Sequence, residues 1–215
     1  MAKYICIEGT EGLGKSTQIK NLVKHFEKMG KNVISTVELG SPLVPLALEC
    51  RKLALDNSYS DQHSLISREF ITQASRSSHY KKVVLPNLDK EDTVIIQDRG
   101  VLSGLAYGEN CGLDLKIVEA LASFSFSEFS VNPYSLYDHL ILLTGDVEKG
   151  MLRAKKAKQE FSAGDAMELK GLEFMLNVSK SLEFQSSKFN NLIKVNTDEK
   201  NIDQVFSSIL KSMES

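Results

Sequence analysis

IEGTEGLGKSTQ, residues 7–18, places three glycines, then a lysine and two hydroxyls, straight after the apolar run Tyr4, Ile5, Cys6, Ile7. Inside it, GTEGLGKS at 9–16 satisfies the pattern G-x-x-x-x-G-K-[ST]. Glycines at such spacing let the backbone turn tightly, so that several N–H groups converge on phosphate oxygens. A helix starting near Gly14 adds its positive N-terminal end. Lys15 carries a full charge to the β- and γ-phosphates, and the Ser16 hydroxyl is suited to ligate Mg²⁺. The expected contacts of ATP are therefore Gly9, Gly12, Leu13, Gly14, Lys15, Ser16 and Thr17.

Outward from this loop, strand and helix signals alternate. Strands are expected at 3–8, 32–37, 93–97, 139–143 and 192–195, each a short and nearly continuous apolar run. Such runs suit a parallel sheet covered on both faces. Ile19, Leu22, Val23, Phe26 and Met29 step by three or four, which makes one helical face apolar, and Gly30 ends it. A long helix is expected over 61–85, closed by Pro86. Ile202, Val205, Phe206, Ile209, Leu210 and Met213 repeat the apolar stripe near the end of the chain. The order β-α-β-α-α-β-α-β-α-α-β-α describes an α/β doubly wound fold with five parallel strands and helices on both faces. No linker or repeat interrupts it, so residues 1–215 are expected to form one domain, with a short lid segment at about 153–168.

Bulk properties narrow the partners. The 215 residues are 42% hydrophobic and 25% charged, with a net charge of −2. Nothing in that total favours nucleic acid or an acidic membrane. The three cysteines, Cys6, Cys50 and Cys111, form no CxxC pair, and no apolar run approaches the length of a membrane span. A cytoplasmic, reducing compartment is the expectation.

Three function classes share a triphosphate cradle: a kinase of small phosphorylated substrates, a nucleotide switch, and a binding module. A guanine-reading N-K-x-D element is missing, since Asn196, Thr197, Asp198, Glu199, Lys200 does not fit it. Instead there are arginines near strand ends: Arg51, Arg76, Arg99 and Arg153. Arginine matches phosphate bidentately and stays charged. Asp98 and Arg99 stand out because they follow an apolar strand at its carboxyl end, where open sheets bind ligands.

These residues converge on a family. YICIEGTEGLGKSTQ resembles the opening strand and phosphate loop of the thymidylate kinases, including the acidic Glu11. IIQDRGVLSGLAYG is similar to their D-R-[YH]-x-x-S-x-x-A-Y-Q segment, through Asp98, Arg99, Ser103, Ala106 and Tyr107. ASRSSHYKKVVLPNL resembles the helix in which an arginine precedes a proline by ten residues, here Arg76 and Pro86. DHLILLTGDVEKGMLRAKKAK and DAMELKGLEF look like the segments that enter and leave the lid.

The resemblance implies a P-loop kinase passing the ATP γ-phosphoryl group to a deoxynucleoside monophosphate, with dTMP first, in a homodimer. By the same resemblance Ser16 and Asp98 organise Mg²⁺, and Arg99 and Arg51 hold the acceptor phosphate. Glu11 contacts the 3′-hydroxyl, Tyr107 packs on the sugar, and Arg76 donates to a base keto oxygen. Glu38 and Ser103 complete the acceptor set. Gly12 leaves the loop without a transition-state cation, so the lid supplies one; Arg153 is the candidate, backed by Lys155, Lys156 and Lys158. Catalysis needs no general base, because the accepting phosphate oxygen is already ionised.

Departures gather at the acceptor end. The second-strand exit keeps Glu38 but lacks the family's arginine and proline, and Gly100 and Gly108 replace larger residues. Thr72 stands where a phenylalanine stacks on thymine, and Phe70 lies on roughly the opposite side of the helix. Losing a stacking ring forfeits about 1–3 kcal/mol of base affinity. A broader base preference (dUMP, dGMP or a modified deoxynucleotide) is the alternative.

Overall fold

The structure is a computed structural model and describes residues 1–59, 61–158, 167 and 170–214. Five parallel strands form one sheet in the order β2-β3-β1-β4-β5. They are β1 (Lys3–Glu8), β2 (Asn32–Val37), β3 (Thr93–Asp98), β4 (His139–Thr144) and β5 (Leu192–Asn196). The helices are α1 (Lys15–Lys28), α2 (Pro45–Leu55), α3 (Leu65–His79), α4 (Val101–Asn110), α5 (Leu115–Ser125), α6 (Val147–Lys158), α7 (Gly171–Ser186) and α8 (Ile202–Glu214). All five strands lie where the sequence puts them, to within a residue.

Side-chain alternation divides the core into two layers. Tyr4 and Cys6 of β1 and Leu140 and Leu142 of β4 pack under α4, α5 and α7, against Leu102, Leu105, Val118 and Leu182. Ile5, Ile7, Ile141 and Leu143 face the other way, against Leu22 and Phe26 of α1 and Val205 and Ile209 of α8. Burying one such side chain is worth about 1.5–3 kcal/mol. The sheet is thus held from both sides, as continuous apolar strands require.

The helix boundaries follow local chemistry. At the end of α1 the Gly30 N–H reaches Glu27 O at 2.9 Å and the Lys31 N–H reaches Phe26 O at 3.0 Å. Gly30 has φ 74, so this is the left-handed glycine turn expected there. Two expectations need correction. The long helix over 61–85 begins only at Leu65, because the Ser64 hydroxyl accepts from Ser67 N at 3.1 Å and caps it. It then widens into a π turn (Tyr80–Val84) and a 3₁₀ turn (Leu85–Asn87) before Pro86 can close an α-helix. Between β3 and β4 there are two helices rather than one. Gly112 (φ 103) interrupts them, and the Asp114 side chain accepts from Lys116 N to start α5.

Candidate active site

All five parallel strands end on one side of the sheet, and β1 and β3 deliver their next residues there side by side. β1 runs into the loop at 9–14, and α1 begins at Lys15 with Gly14 (φ 92) before it. Lys15 is 8% exposed, and its Nζ donates to Thr10 O at 2.9 Å. Burial, reinforced by the Arg99 charge, lowers its pKa to about 7 against the pull of Asp98, Glu8 and Glu11.

Across from Lys15, Arg99 sits at φ 61, a backbone region that costs a non-glycine residue of order 1–3 kcal/mol. Its N–H donates to Ile7 O at 2.9 Å. Its Nη1 donates to Ser103 Oγ at 3.1 Å, and its guanidinium lies 5.4 Å from the centre of the Tyr107 ring. Burial opposes the Arg99 charge, but Tyr107, Glu8, Asp98 and Glu11 outweigh it, so its pKa moves up.

Glu8 underlies this arrangement. It is fully buried, and Oε1 accepts from Gly100 N at 2.7 Å and Ser103 N at 3.0 Å. The Ser103 hydroxyl donates to its Oε2. A carboxylate at the start of α4 also meets the positive end of that helix. Burial raises the Glu8 pKa, while Arg99, Ser103 and Gly100 pull it back.

The second half of the site is built from α2, α3 and the end of β2. Arg76 is 1% exposed; its Nε donates to Glu38 Oε1 at 2.5 Å and its Nη1 to Gln73 Oε1 at 2.8 Å. Burial works against the Arg76 charge, but Glu38 and Glu69 hold it protonated. Gly104 makes room for this side chain, since a Cβ there would lie 2.4 Å from Arg76 Nη2. Arg51 Nη1 donates to Leu39 O at 3.1 Å. Arg51, Arg76 and Arg99 line one cavity of about 500 Å³ together with Lys15, Ser16 and Asp98.

A family model described as thymidylate kinase matches residues 7–209. The chain belongs to the thymidylate kinase family. It is 31% identical over 211 residues to the thymidylate kinase of Sulfurimonas denitrificans, covering 98% of both chains. It is 33% identical over 187 residues to that of Prochlorococcus marinus, covering 84% and 82%. Among solved structures, the thymidylate kinase of Ehrlichia chaffeensis aligns with a TM-score of 0.70 at 20% identity, covering 100% of this chain and 99% of that one. That likeness speaks for the fold, a P-loop NTPase arrangement with a five-stranded parallel sheet.

The acceptor residues that the thymidylate kinase resemblance singles out meet in the cavity. Glu11, Glu38, Arg51, Thr72, Arg76, Arg99, Ser103 and Tyr107 all line it. Phe70 does not; it is 56% exposed and leaves the Thr72 position without a ring. Leu13 is buried in the core below the loop, so any phosphate contact it makes is through its backbone. Arg153, on α6, donates from Nε to Gly12 O at 3.0 Å and is exposed, as are Lys155 and Lys156. The Lys158 side chain lies outside the described residues, as does most of the lid segment beyond it. α6 touches the loop closely: Gly12 has φ 69, and a Cβ on it would lie 1.8 Å from Gly150 O.

Sequence reasoning assigned nothing to Glu8, Arg68, Glu69, Gln73, Gly104 or Gly150. Only Glu8 carried a visible signal, a charge closing an apolar strand immediately before the first loop glycine.

Proposed function

We propose that this thymidylate kinase family member transfers the γ-phosphoryl group of ATP to dTMP, giving dTDP and ADP. The observation that carries the reading is the shared cavity: a phosphate-loop lysine and three arginines face a single space large enough for an acceptor nucleotide. One wall suits the donor phosphates, and the other suits a second phosphate.

The chemistry is positioning and charge neutralisation. Lys15 and the loop N–H groups grip the donor phosphates. Arg99 and Arg51 hold the acceptor phosphate in line, with Ser103, itself lining the cavity as part of the acceptor set, and the buried Glu8 behind it fixing the Arg99 guanidinium. Glu11 and Tyr107 meet the sugar, and Arg76, held by Glu38, meets the base. Arg153, already hydrogen-bonded to the loop at Gly12, supplies the cation that the loop itself lacks. The accepting oxygen carries no proton to be removed, so no histidine is needed; His79 is buried against Thr36 at 2.8 Å.

Mg²⁺ fits the donor wall. Asp98 Oδ1 is buried with no hydrogen-bond partner among the described residues, and Ser16 lines the same cavity. One carboxylate, one hydroxyl and phosphate oxygens are the donor set this ion prefers. Ser16 and Asp98 would hold it, and when bound it neutralises charge on the donor phosphates.

No helix among the described residues is long and apolar enough to cross a membrane, and the three cysteines are free. A cytoplasmic location is proposed on the family membership alone. A homodimer is supported by exposed apolar side chains on α2 and α3, among them Leu46, Leu53, Ile66 and Phe70.

A second reading, a broader base preference covering dUMP or dGMP, is favoured by Thr72, which puts a short side chain where a ring would stack. The test is ADP release from ATP against a panel of deoxynucleoside and ribonucleoside monophosphates. Acceleration by dTMP above the others is expected. If no monophosphate accelerates release, the protein is a switch or a binding module instead.

A further inference from the structure

Gln97 closes the apolar run of β3 and is fully buried, on the face where Ile95 packs in the core. Buried there, it touches no ligand, so its role lies in what it holds. An amide inside a core costs stability unless its hydrogen bonds are made, and an aliphatic side chain would fill that layer without the cost.

The bonds of Gln97 are made, and to telling partners. Nε2 donates to Arg99 O at 2.8 Å and reaches Glu38 Oε2 at 3.4 Å. Oε1 accepts from the Tyr4 hydroxyl. Burial, then Cys6, Glu38 and Tyr80, hold the Tyr4 phenol well above its ordinary pKa against the pull of Arg76, so the hydroxyl keeps its proton. Turning the amide over would set Oε1 against two acceptors, Arg99 O and Glu38 Oε2, so one orientation is selected.

The neighbouring peptide groups of the same turn are gripped as well. Arg99 N donates to Ile7 O at 2.9 Å, Gly100 N to Glu8 Oε1 at 2.7 Å, and Val101 N to Tyr137 Oη at 3.3 Å. Glu8, Gln97 and Tyr137, three buried side chains far apart in sequence, thus hold three consecutive residues. Gly100 makes this possible. A Cβ there would lie 2.2 Å from Tyr137 Oη and 3.0 Å from Gln97 Nε2, so a side chain would push both off the backbone. A non-glycine residue at φ 61 persists only where its surroundings over-determine it, and the Gln97 amide supplies the grip on the Arg99 carbonyl.

We infer that Gln97 is a positioning residue for phosphoryl transfer: it fixes the peptide plane from which the Arg99 guanidinium reaches the acceptor phosphate. Through Glu38 the same amide ties that plane to the Arg76 pair, and Tyr4 secures its other end. Without the amide donor the Arg99 backbone relaxes and the guanidinium swings out of line, while the donor loop at 9–14 keeps its own contacts. The inference rests on the kinase reading given above, in which Arg99 holds that phosphate.

The experiment is steady-state ADP release from ATP with dTMP, from about pH 6 to pH 9, using the full chain and its Gln97→Met, Gln97→Glu and Tyr4→Phe variants. Gln97→Met keeps the volume and loses the donor. It lowers kcat/KM for dTMP about 10- to 100-fold, as a misplacement of about 1 Å does, while the KM for ATP stays within twofold. Gln97→Glu can replace the amide donor only as the protonated acid. Burial and the facing Glu38 favour that form, and Arg76 and Arg99 oppose it. Its kcat/KM, taken relative to the unaltered chain at each pH, therefore exceeds that of Gln97→Met by a margin that grows as pH falls. A residue that merely fills space would show neither the split between the two substrates nor the rescue by acid. Tyr4→Phe keeps the ring packing, so it reports even if Gln97→Met does not fold; it lowers kcat/KM for dTMP about threefold to tenfold. The inference is overturned if Gln97→Met or Tyr4→Phe leaves that ratio within twofold, if the KM for ATP rises as far as the ratio falls, or if Gln97→Glu never exceeds Gln97→Met at any pH. Absence of dTMP-dependent release in the unaltered chain would sink the kinase reading itself; full turnover with silent variants sinks this inference alone.

Discussion

Nucleotide binding by this protein should draw a proton from solution near pH 8, and the group that takes it is Lys15. A lysine in water titrates near 10.4. Here burial and the facing Arg99 bring it to about 7, despite Asp98, Glu8 and Glu11. Donor phosphates add negative charge directly at Nζ, which favours the ammonium and raises its pKa in the complex. The complex then holds more protons than the free protein at any pH between the two values. Affinity must therefore be greatest below the free pKa and fall as pH rises through it. One unit above the free pKa about nine in ten free molecules carry a neutral Lys15. Moving from pH 6 to pH 8 should thus weaken Mg·ATP binding roughly tenfold, about 1.4 kcal/mol.

Titration calorimetry in buffers of different ionisation enthalpy reads this directly. At pH 8 the proton uptake should approach about 0.9 per nucleotide bound. Lys15→Met is the reference, because it retains any titration of the ATP phosphates while lacking the ammonium. Equal uptake in both proteins, or an affinity that is level from pH 6 to pH 8, would refute the claim that Lys15 is partly neutral before nucleotide arrives.

Other perturbations report on separate parts of the site. Gly12→Ala sets a Cβ at φ 69 and 1.8 Å from Gly150 O, so the loop or α6 must shift; kcat should fall by more than tenfold, about 1.4 kcal/mol of barrier, and an unchanged kcat would show that the contact is incidental. Glu38→Ala leaves Arg76, 1% exposed, without its nearest counter-charge. With Glu69 remaining, the cost should lie near the low end of about 3–5 kcal/mol in urea denaturation, and a loss under 1 kcal/mol would mean that Glu69 alone suffices. Thr72→Phe restores a stacking surface worth about 1–3 kcal/mol, so the KM for dTMP should drop about tenfold; a rise would mean that the ring and the base compete for the same space. Arg153→Ala should lower kcat about 100-fold or more while leaving both KM values within a few-fold, and full activity would remove α6 from the chemistry.

The proposed donor half of the site could be read from the sequence because its parts are consecutive. Residues 9–17 carry loop, lysine and hydroxyls in one run, and the physics that makes them a phosphate cradle acts locally. The proposed acceptor half was less legible: Arg51, Arg76 and above all Arg99 stood out as arginines near strand ends, but Glu38 and the individual roles came only by resemblance, since these residues come from separate elements and only the fold makes them neighbours. Helix ends were misjudged where a single side chain decides them. Ser64 and Asp114 are the residues that begin α3 and α5, and neither interrupts the apolar pattern enough to be seen against it. Glu69 and Arg68 were invisible for a different reason. On a helix surface a charged pair reads as a solvated face, and only the neighbouring α4, with glycines at 104 and 108, turns that face into the wall of a cavity.

Glu8 explains how the two halves stay in register. It closes β1, so its position is set by the strand that also delivers the phosphate loop. Through Gly100 N, Ser103 N and the Ser103 hydroxyl it holds the first turn of α4, and Ser103 in turn receives Arg99. A buried carboxylate held by three donors is stiff, because releasing any one leaves a charge short of partners in a dry interior. That stiffness also accounts for the strained Arg99 backbone: the N–H bond to Ile7 O and the link through Ser103 to Glu8 constrain it from both sides. The distance from the loop at 9–14 to the Arg99 guanidinium is therefore set by one strand end and one carboxylate. On the proposed roles, in-line transfer between two phosphates, where a misplacement of about 1 Å costs about 100-fold in rate, depends on that distance.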